Sequence, residues 1–175
     1  MGEVFLDRVP ALERHVAVQV LPAALSDDAT ARERFRREAL AAAGLDHPFI
    51  CKVFEIGDVD GRLFIVMEYV AGETLHAALG RGPLSSAALL TLALELTDAL
   101  EAAHARKIVH RDLKPANIMI ARGRDGSDQV KVVDFGIAKA IGGDETGQKV
   151  TKTGLVVGTP EYMSPEQLSG DKVDG

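Results

Sequence analysis

The sequence predicts an α+β fold in two unlike parts, and three observations carry that expectation. The first seventy residues alternate short β-branched runs with a single helical stretch. From Gly72 onward the apolar spacing becomes that of helices, and a polar, glycine-containing stretch from Gly142 to Thr153 has the composition of a mobile loop. With 46% hydrophobic residues in 175, the chain has apolar material for a core of single-domain size.

In the first part, Val4 to Leu6 is a short apolar run, and His15 to Leu21 (HVAVQVL) is β-branched enough for a sheet strand, ended by Pro22. Ser26 and the Asp27-Asp28 pair supply N-cap chemistry for a helix reaching about Ala43, with Gly44 closing it. Ile50 to Ile56 and Arg62 to Val70 read as two further strands, joined by a hairpin loop Gly57-Asp58-Val59-Asp60-Gly61. In the second part, Glu73 to Leu79 is a short helix stopped by Gly80 and Gly82. Ser85 or Ser86 caps a long helix to about His104, whose Leu89, Leu92, Leu96, Ala99, Leu100 and Ala103 form a core stripe. Ile108-Val109 and Ile118 to Ile120 read as short strands that flank or follow the next loop, and Val130 to Val133 leads into Asp134.

A net charge of -6 and a pI near 5.4 give no electrostatic footprint for nucleic acid or an anionic membrane surface. No apolar run is long enough to span a bilayer, and Met1 to Pro10 lacks the basic start and apolar centre of a signal peptide. Cys51, the single cysteine, has no internal disulfide partner and reads as a small buried strand residue. These features together predict a cytoplasmic protein. His15, His47, His76 and His104 share no metal-ligand spacing and read as structural or surface residues.

The chemistry concentrates in His110-Arg111-Asp112-Leu113-Lys114-Pro115-Ala116-Asn117, followed by Asp134-Phe135-Gly136. One loop and the turn after it bring together an anionic base, a cation and two side chains suited to a divalent metal. Phosphoryl transfer needs that combination, because an acceptor hydroxyl must lose its proton while charge on the moving group is neutralised. Isolated Asp or Asn residues in loops are ordinarily caps or turn formers; the joint spacing HRDxxxxN then DFG argues against that here. His110 itself reads as a packed supporting residue and not as a proton carrier.

The chain resembles a serine/threonine protein kinase, and is most similar to the eukaryotic-like kinases of bacteria. VAVQVLP, RFRREALAAAGLDHPFI, LFIVMEYVAGETL, HRDLKPANIMI, VKVVDFGIAK and TKTGLVVGTPEYMSPEQ carry the likeness, which runs along nearly the whole sequence. The resemblance implies a protein-kinase-like bilobal fold, incomplete at both ends: a sheet with one helix over residues 1–70 and a partial helical lobe over 71–175. It implies ATP and Mg²⁺ as cofactors and a protein Ser or Thr as acceptor, and leaves oligomeric state open. Asp112 would take or orient the acceptor's proton, Lys114 would neutralise the γ-phosphoryl group, and Asn117 and Asp134 would hold Mg²⁺. Met67 would lie behind the adenine, with backbone groups of Glu68 to Val70 on its edge. Gly2 matches the last glycine of the phosphate loop, and Glu38 matches the helix glutamate that pairs with a strand lysine. Gly158-Thr159-Pro160 would face substrate, and Ser164-Pro165-Glu166 stands where the family has Ala-Pro-Glu. Arg111 beside Asp112 implies activation by phosphorylation at Thr151 or Thr153.

Two departures leave alternatives open. The strand lysine is replaced by Gln19, which can donate a hydrogen bond to a phosphate but brings no charge. Glu38 is therefore expected to face water or phosphate without a cation, and Lys52, on another strand, is not expected to reach the cleft. The glycines before Gly2 and the helix that follows the family's Ala-Pro-Glu are not in the sequence. A weakened kinase, a pseudokinase that binds nucleotide or a partner, and an inactive kinase fragment all fit these features.

Overall fold

The computed structural model describes residues 3–9, 13–21, 29–123, 126–135, 160–169 and 173. The expected helix cap at Ser26 to Asp28, the loop from Gly142 to Thr153, and Gly2, Gly136, Thr146, Thr151, Thr153, Gly158 and Thr159 lie outside the described residues.

The first part is a four-stranded antiparallel sheet in the order β1-β2-β4-β3, formed by β1 (Glu3–Val9), β2 (Arg14–Val20), β3 (Val53–Val59) and β4 (Arg62–Glu68). Helix α1 (Ala29–Ala43) packs on it through Ala31, Phe35, Ala39 and Ala42, a helical i, i+4 stripe of which Ala39 is fully buried. At its solvent edge α1 is tied to the β3–β4 hairpin by an Arg32–Asp58 ion pair and a bond from Arg32 to the Gly61 carbonyl (3.2 Å).

The hairpin differs from the five-residue loop read from sequence. β3 continues through Gly57, Asp58 and Val59, and the reversal is confined to Asp60 and Gly61, with φ of 51° and 77°. Two consecutive left-handed residues make the tight turn whose twist matches paired strands, so the ladder closes at Val59 opposite Arg62. Gly57 is in the strand for another reason: Phe64 lies across it, and a Cβ there would fall inside the ring.

The second part begins with β5 (Gly72–Thr74), α2 (Leu75–Gly80) and α3 (Ser86–His104). Thr74 and Ser85 cap the two helices, each side-chain oxygen accepting an amide hydrogen bond, so the short helix starts two residues later than its sequence suggests. A three-stranded antiparallel sheet, β5-β6-β7, is completed by β6 (Ile118–Arg122) and β7 (Asp128–Val132). Ile108 and Val109 form no strand. Short helix α4 (Pro165–Ser169) follows a 3-10 turn, Pro160–Tyr162.

Only the C-terminal half of the expected α3 stripe is core. Ala99 and Ala103 are fully buried and Leu92 and Leu96 pack partly, but Leu89 is 55% exposed, and Leu90 and Leu94 are more exposed still. Among the described residues β7 is the sheet strand packed on this helix, fixed where Glu95 accepts the Val130 amide at 2.7 Å.

Segment 44–52 joins the two parts. The Cys51 amide donates to the Val132 carbonyl (2.8 Å), the Val132 amide donates to the Phe49 carbonyl (2.8 Å), and Arg106 reaches the Gly44 carbonyl. His47 lies 3.5 Å from Asp98 on α3. The core of Phe35, Leu63, Ile65, Ile118, Val130, Val132 and Phe135 is continuous across this joint, so the loops carrying the chemical groups are braced from both sides.

Candidate active site

The loop after α3 is built around a buried histidine. The chain turns at Lys107, which holds φ of 60°, and drops His110 into the core. Its Nε2–H donates to the Val133 carbonyl (2.9 Å), its Nδ1 accepts the Asp112 amide (3.3 Å), and its ring rests 4.8 Å from that of Phe135. A carbonyl requires a donor and an amide requires an acceptor, so the ring is the neutral Nε2–H tautomer. Burial pushes its pKa below the ordinary 6.5, against the opposing pull of the Val133 carbonyl and the Asp112 charge. His110 is thus the packed support that the sequence suggests.

Asp112 is the centre of a small network. Its Oδ2 receives Lys114 Nζ at 2.9 Å and Asn117 Nδ2 at 3.1 Å, and the same Nδ2 donates to the Asp112 carbonyl at 2.8 Å. A 3-10 turn, Pro115–Asn117, delivers Asn117 to this place; proline pre-sets its first residue and the Asn117 amide closes it on Lys114 at 2.9 Å. The Val133 amide then bonds the Asn117 carbonyl (3.0 Å), which sets Asp134 beside the loop. Asp134 sits at φ of 59°, and its carboxyl pKa is raised by burial first and by the Asp112 charge second, with Lys114 opposing.

These residues fit a Mg²⁺-nucleotide. Asn117 is buried and both bonds of its amide go through Nδ2; its Oδ1 has no partner among the described residues. Two carboxylates that disfavour each other's charge and an unpaired amide oxygen suit a hard cation whose remaining ligands are phosphate oxygens and water. Among the described residues no group of three or more His, Cys, Asp and Glu could form an all-protein cage.

The remaining expected residues are placed as follows. Gln19 is buried in β2, between Val4 and Ile65 in the ladder, and its side chain makes no hydrogen bond among the described residues. Glu38, on α1, does not lack a cation: its Oε1 stands 3.7 Å from Arg111 Nη1. The reason is electrostatic: position 19 brings no charge, and the Arg111 guanidinium approaches instead. Lys52 is bound to Asp46 at 2.9 Å, in keeping with its expected absence from the cleft.

Glu68 ends β4. Its amide bonds the Lys52 carbonyl at 2.8 Å and its carboxylate holds Lys131 at 2.9 Å. Half-buried Val70 lies just beyond that strand. Met67 lines a crevice of about 10 Å³ with Cys51, Asp134 and Phe135, which brings the end of β4 to the Asp134 turn. Cys51 is buried as expected but lies before β3, not within it; its thiol donates to the Glu68 carbonyl (3.5 Å) and burial pushes its pKa up to about 12.

Two contacts were not foreseen. The Lys131–Glu68 pair has no local sequence signal, since it joins strands 63 residues apart. Gln167 donates from Nε2 to the Arg111 carbonyl at 2.7 Å. The spacing Ser164-x-x-Gln167, the pattern of a helix capping box, signals the local bonds of Gln167 but not this distant one.

The protein kinase domain family matches the chain over residues 1–175. The serine/threonine-protein kinase pkn3 of Myxococcus xanthus is 46% identical over 176 residues, covering 99% of this chain and 32% of that protein. The serine/threonine-protein kinase PknJ of Mycobacterium tuberculosis is 44% identical, with 100% of this chain and 29% of that protein covered. A crystal structure of the Mycobacterium tuberculosis PknI kinase domain superposes with a TM-score of 0.75 at 31% identity, covering 99% of this chain and 61% of that one. The chain therefore spans about a third of the length of these curated relatives.

Proposed function

The chain belongs to the protein kinase family, and on that premise we propose that it serves ATP-dependent phosphoryl transfer to Ser or Thr hydroxyls of proteins, at a rate reduced by Gln19. The observation that carries the reading is the network Lys114–Asp112–Asn117 with Asp134 beside it. Asp112 Oδ2 would orient the acceptor hydroxyl and take its proton as the new oxygen–phosphorus bond forms and the γ-phosphorus bond to the departing ADP breaks. Lys114, held at 2.9 Å from that carboxylate, moves its charge to the transferred group. Asn117 and Asp134 would hold Mg²⁺, which would neutralise charge on the phosphates. Met67 and the backbone of Glu68 to Val70 would border the adenine, the family resemblance would put Gly2 in the phosphate loop, and Gln19, buried with no side-chain hydrogen bond among the described residues, would offer the phosphates its amide. A phosphate on Thr151 or Thr153 gives Arg111 an anionic partner that competes with Glu38.

The division at residues 70 and 71, a protein substrate and a cytoplasmic setting belong to the same reading. The acidic net charge of -6 supports excluding nucleic acid, and among the described residues no helix is long and apolar enough to cross a membrane.

A second reading, a pseudokinase that holds nucleotide without transfer, is favoured by one observation: the buried position of the missing strand cation holds a neutral amide. Transfer of labelled γ-phosphate from Mg-ATP, compared between the parent and Gln19→Lys, separates the two. Losing a clamp on the reacting phosphates costs on the order of a hundredfold in rate, so the lysine variant is expected to gain by about that factor. Nucleotide binding without transfer in either protein would establish the pseudokinase.

A further inference from the structure

The peptide joining Arg111 to Asp112 is gripped at both ends. Its N–H, from Asp112, is held by His110 Nδ1 at 3.3 Å; its carbonyl, from Arg111, is held by Gln167 Nε2 at 2.7 Å. Because a peptide unit is planar, fixing its two polar ends fixes the plane and the position of the Asp112 Cα within it, the point from which the Asp112 side chain leaves the backbone. The grip is needed here. Arg111 has φ of 60°, a left-handed conformation that a residue with a side chain keeps only when its surroundings over-determine it.

Gln167 is itself held. Its Oε1 accepts the Ser164 amide (3.1 Å) and its own amide donates to Ser164 Oγ (3.4 Å), the reciprocal pair of a capping box at the start of α4. The identities of its two side-chain atoms follow from their partners, since an amide N–H needs the oxygen and a carbonyl needs the NH₂. A glutamate would cap the helix at least as well and suit its N-terminus better. A carboxylate, however, has no hydrogen to give Arg111. The residue type at 167 thus answers to two demands, one in its own helix and one 56 residues away in the catalytic loop.

We infer that Gln167 is a positioning residue that aims the catalytic base, coupling the Ser164–Ser169 segment to Asp112 through the Arg111 carbonyl. This rests on the phosphotransfer reading above. The isosteric variant Gln167→Glu tests it, because it keeps the acceptor for Ser164, adds a charge that the start of the helix favours, and puts an acceptor where the Arg111 carbonyl needs a donor. In the full protein that carries this chain, kcat is expected to fall roughly three- to tenfold, the worth of one hydrogen bond. KM for Mg-ATP and the melting temperature stay at parental values, and amide hydrogen exchange quickens across residues 110–117 but not across 164–169. Parental kcat and parental exchange in 110–117 would overturn the inference and leave Gln167 a helix cap. If the parent itself transfers no phosphate, the kinase reading fails by that result, and the exchange of 110–117 still decides the positioning role.

Discussion

Asp134→Asn is expected to stabilise the nucleotide-free protein while disabling it. The carboxyl of Asp134 is partly buried with its pKa raised, by burial first and by the charge of Asp112 second, and the charge of Lys114 only partly offsets this. A raised folded-state pKa means that the protonated form favours the fold. The contribution is full below the ordinary aspartate value of 3.8 and is lost as pH climbs through the raised value. At neutral pH the ionised group therefore opposes folding until a cation arrives. Asparagine keeps the size, tolerates the left-handed φ of 59° better than most residues, and removes the charge. Relief of this kind at an active site is typically worth about 0.5–2 kcal/mol. For a chain of this length that is about 1–8 °C in melting temperature. Phosphate transfer should meanwhile fall by about 10²–10³, as expected for removal of an electrostatic element of the transition state. Melts in chelator, run from acidic to neutral pH, check the sign. The advantage of the variant should open as pH rises through the raised pKa and then stay constant. Equal stability at neutral pH, or a gap that widens toward acid, would refute the reasoning.

Two further outcomes concern the scaffold. Gly57→Ala puts a methyl group where the Phe64 ring lies, and should cost about 1–3 kcal/mol by overpacking, read as a lowered melting temperature; an unchanged melt would mean the ring moves aside freely. His110 is held neutral by burial, so the stability it contributes is present above its unfolded value of 6.5 and is lost as pH falls toward its depressed folded value. His110→Gln should flatten that part of the stability–pH curve relative to the parent, a difference of opposite slope to the one at Asp134, and identical slopes would refute the assignment.

The legible parts of the molecule were those fixed by local chemistry. Strand β2, helix α1 and helix α3 follow from runs of β-branched residues, an alanine-rich helical stripe and a serine cap, each within one segment. The residues around Asp112 were legible because one loop supplies Lys114 and Asn117 at short range. What the sequence hid depends on distant partners. Gly57 has the composition of a turn residue, but its place in the strand is set by Phe64 across the ladder. Leu89 looks like core because periodicity reports a face of α3 without reporting what lies over it. The contacts of Lys131 with Glu68 and of Gln167 with Arg111 join residues brought together only by the tertiary fold.

The same limit applies to Glu38, and its resolution bears on how such a site would be controlled. A neutral residue at 19 leaves the helix carboxylate to find a cation elsewhere, and the nearby guanidinium of Arg111 meets it at 3.7 Å. That pair is a weak latch. The Arg111 side chain is 49% exposed and the separation is at the long end for an ion pair, so solvent screening holds its worth to under about 1 kcal/mol. A phosphate presents more charge and several acceptor oxygens, and bonds to a guanidinium through paired, charge-assisted contacts. On the proposed phosphotransfer reading, a phosphate on the loop would outcompete this contact for Arg111. Its backbone stays fixed meanwhile, because the Arg111 carbonyl is bound at 2.7 Å to Gln167 and the next amide to His110. Side chain and backbone of one residue therefore answer to different partners: the guanidinium can change its anion without disturbing the peptide plane that aims Asp112.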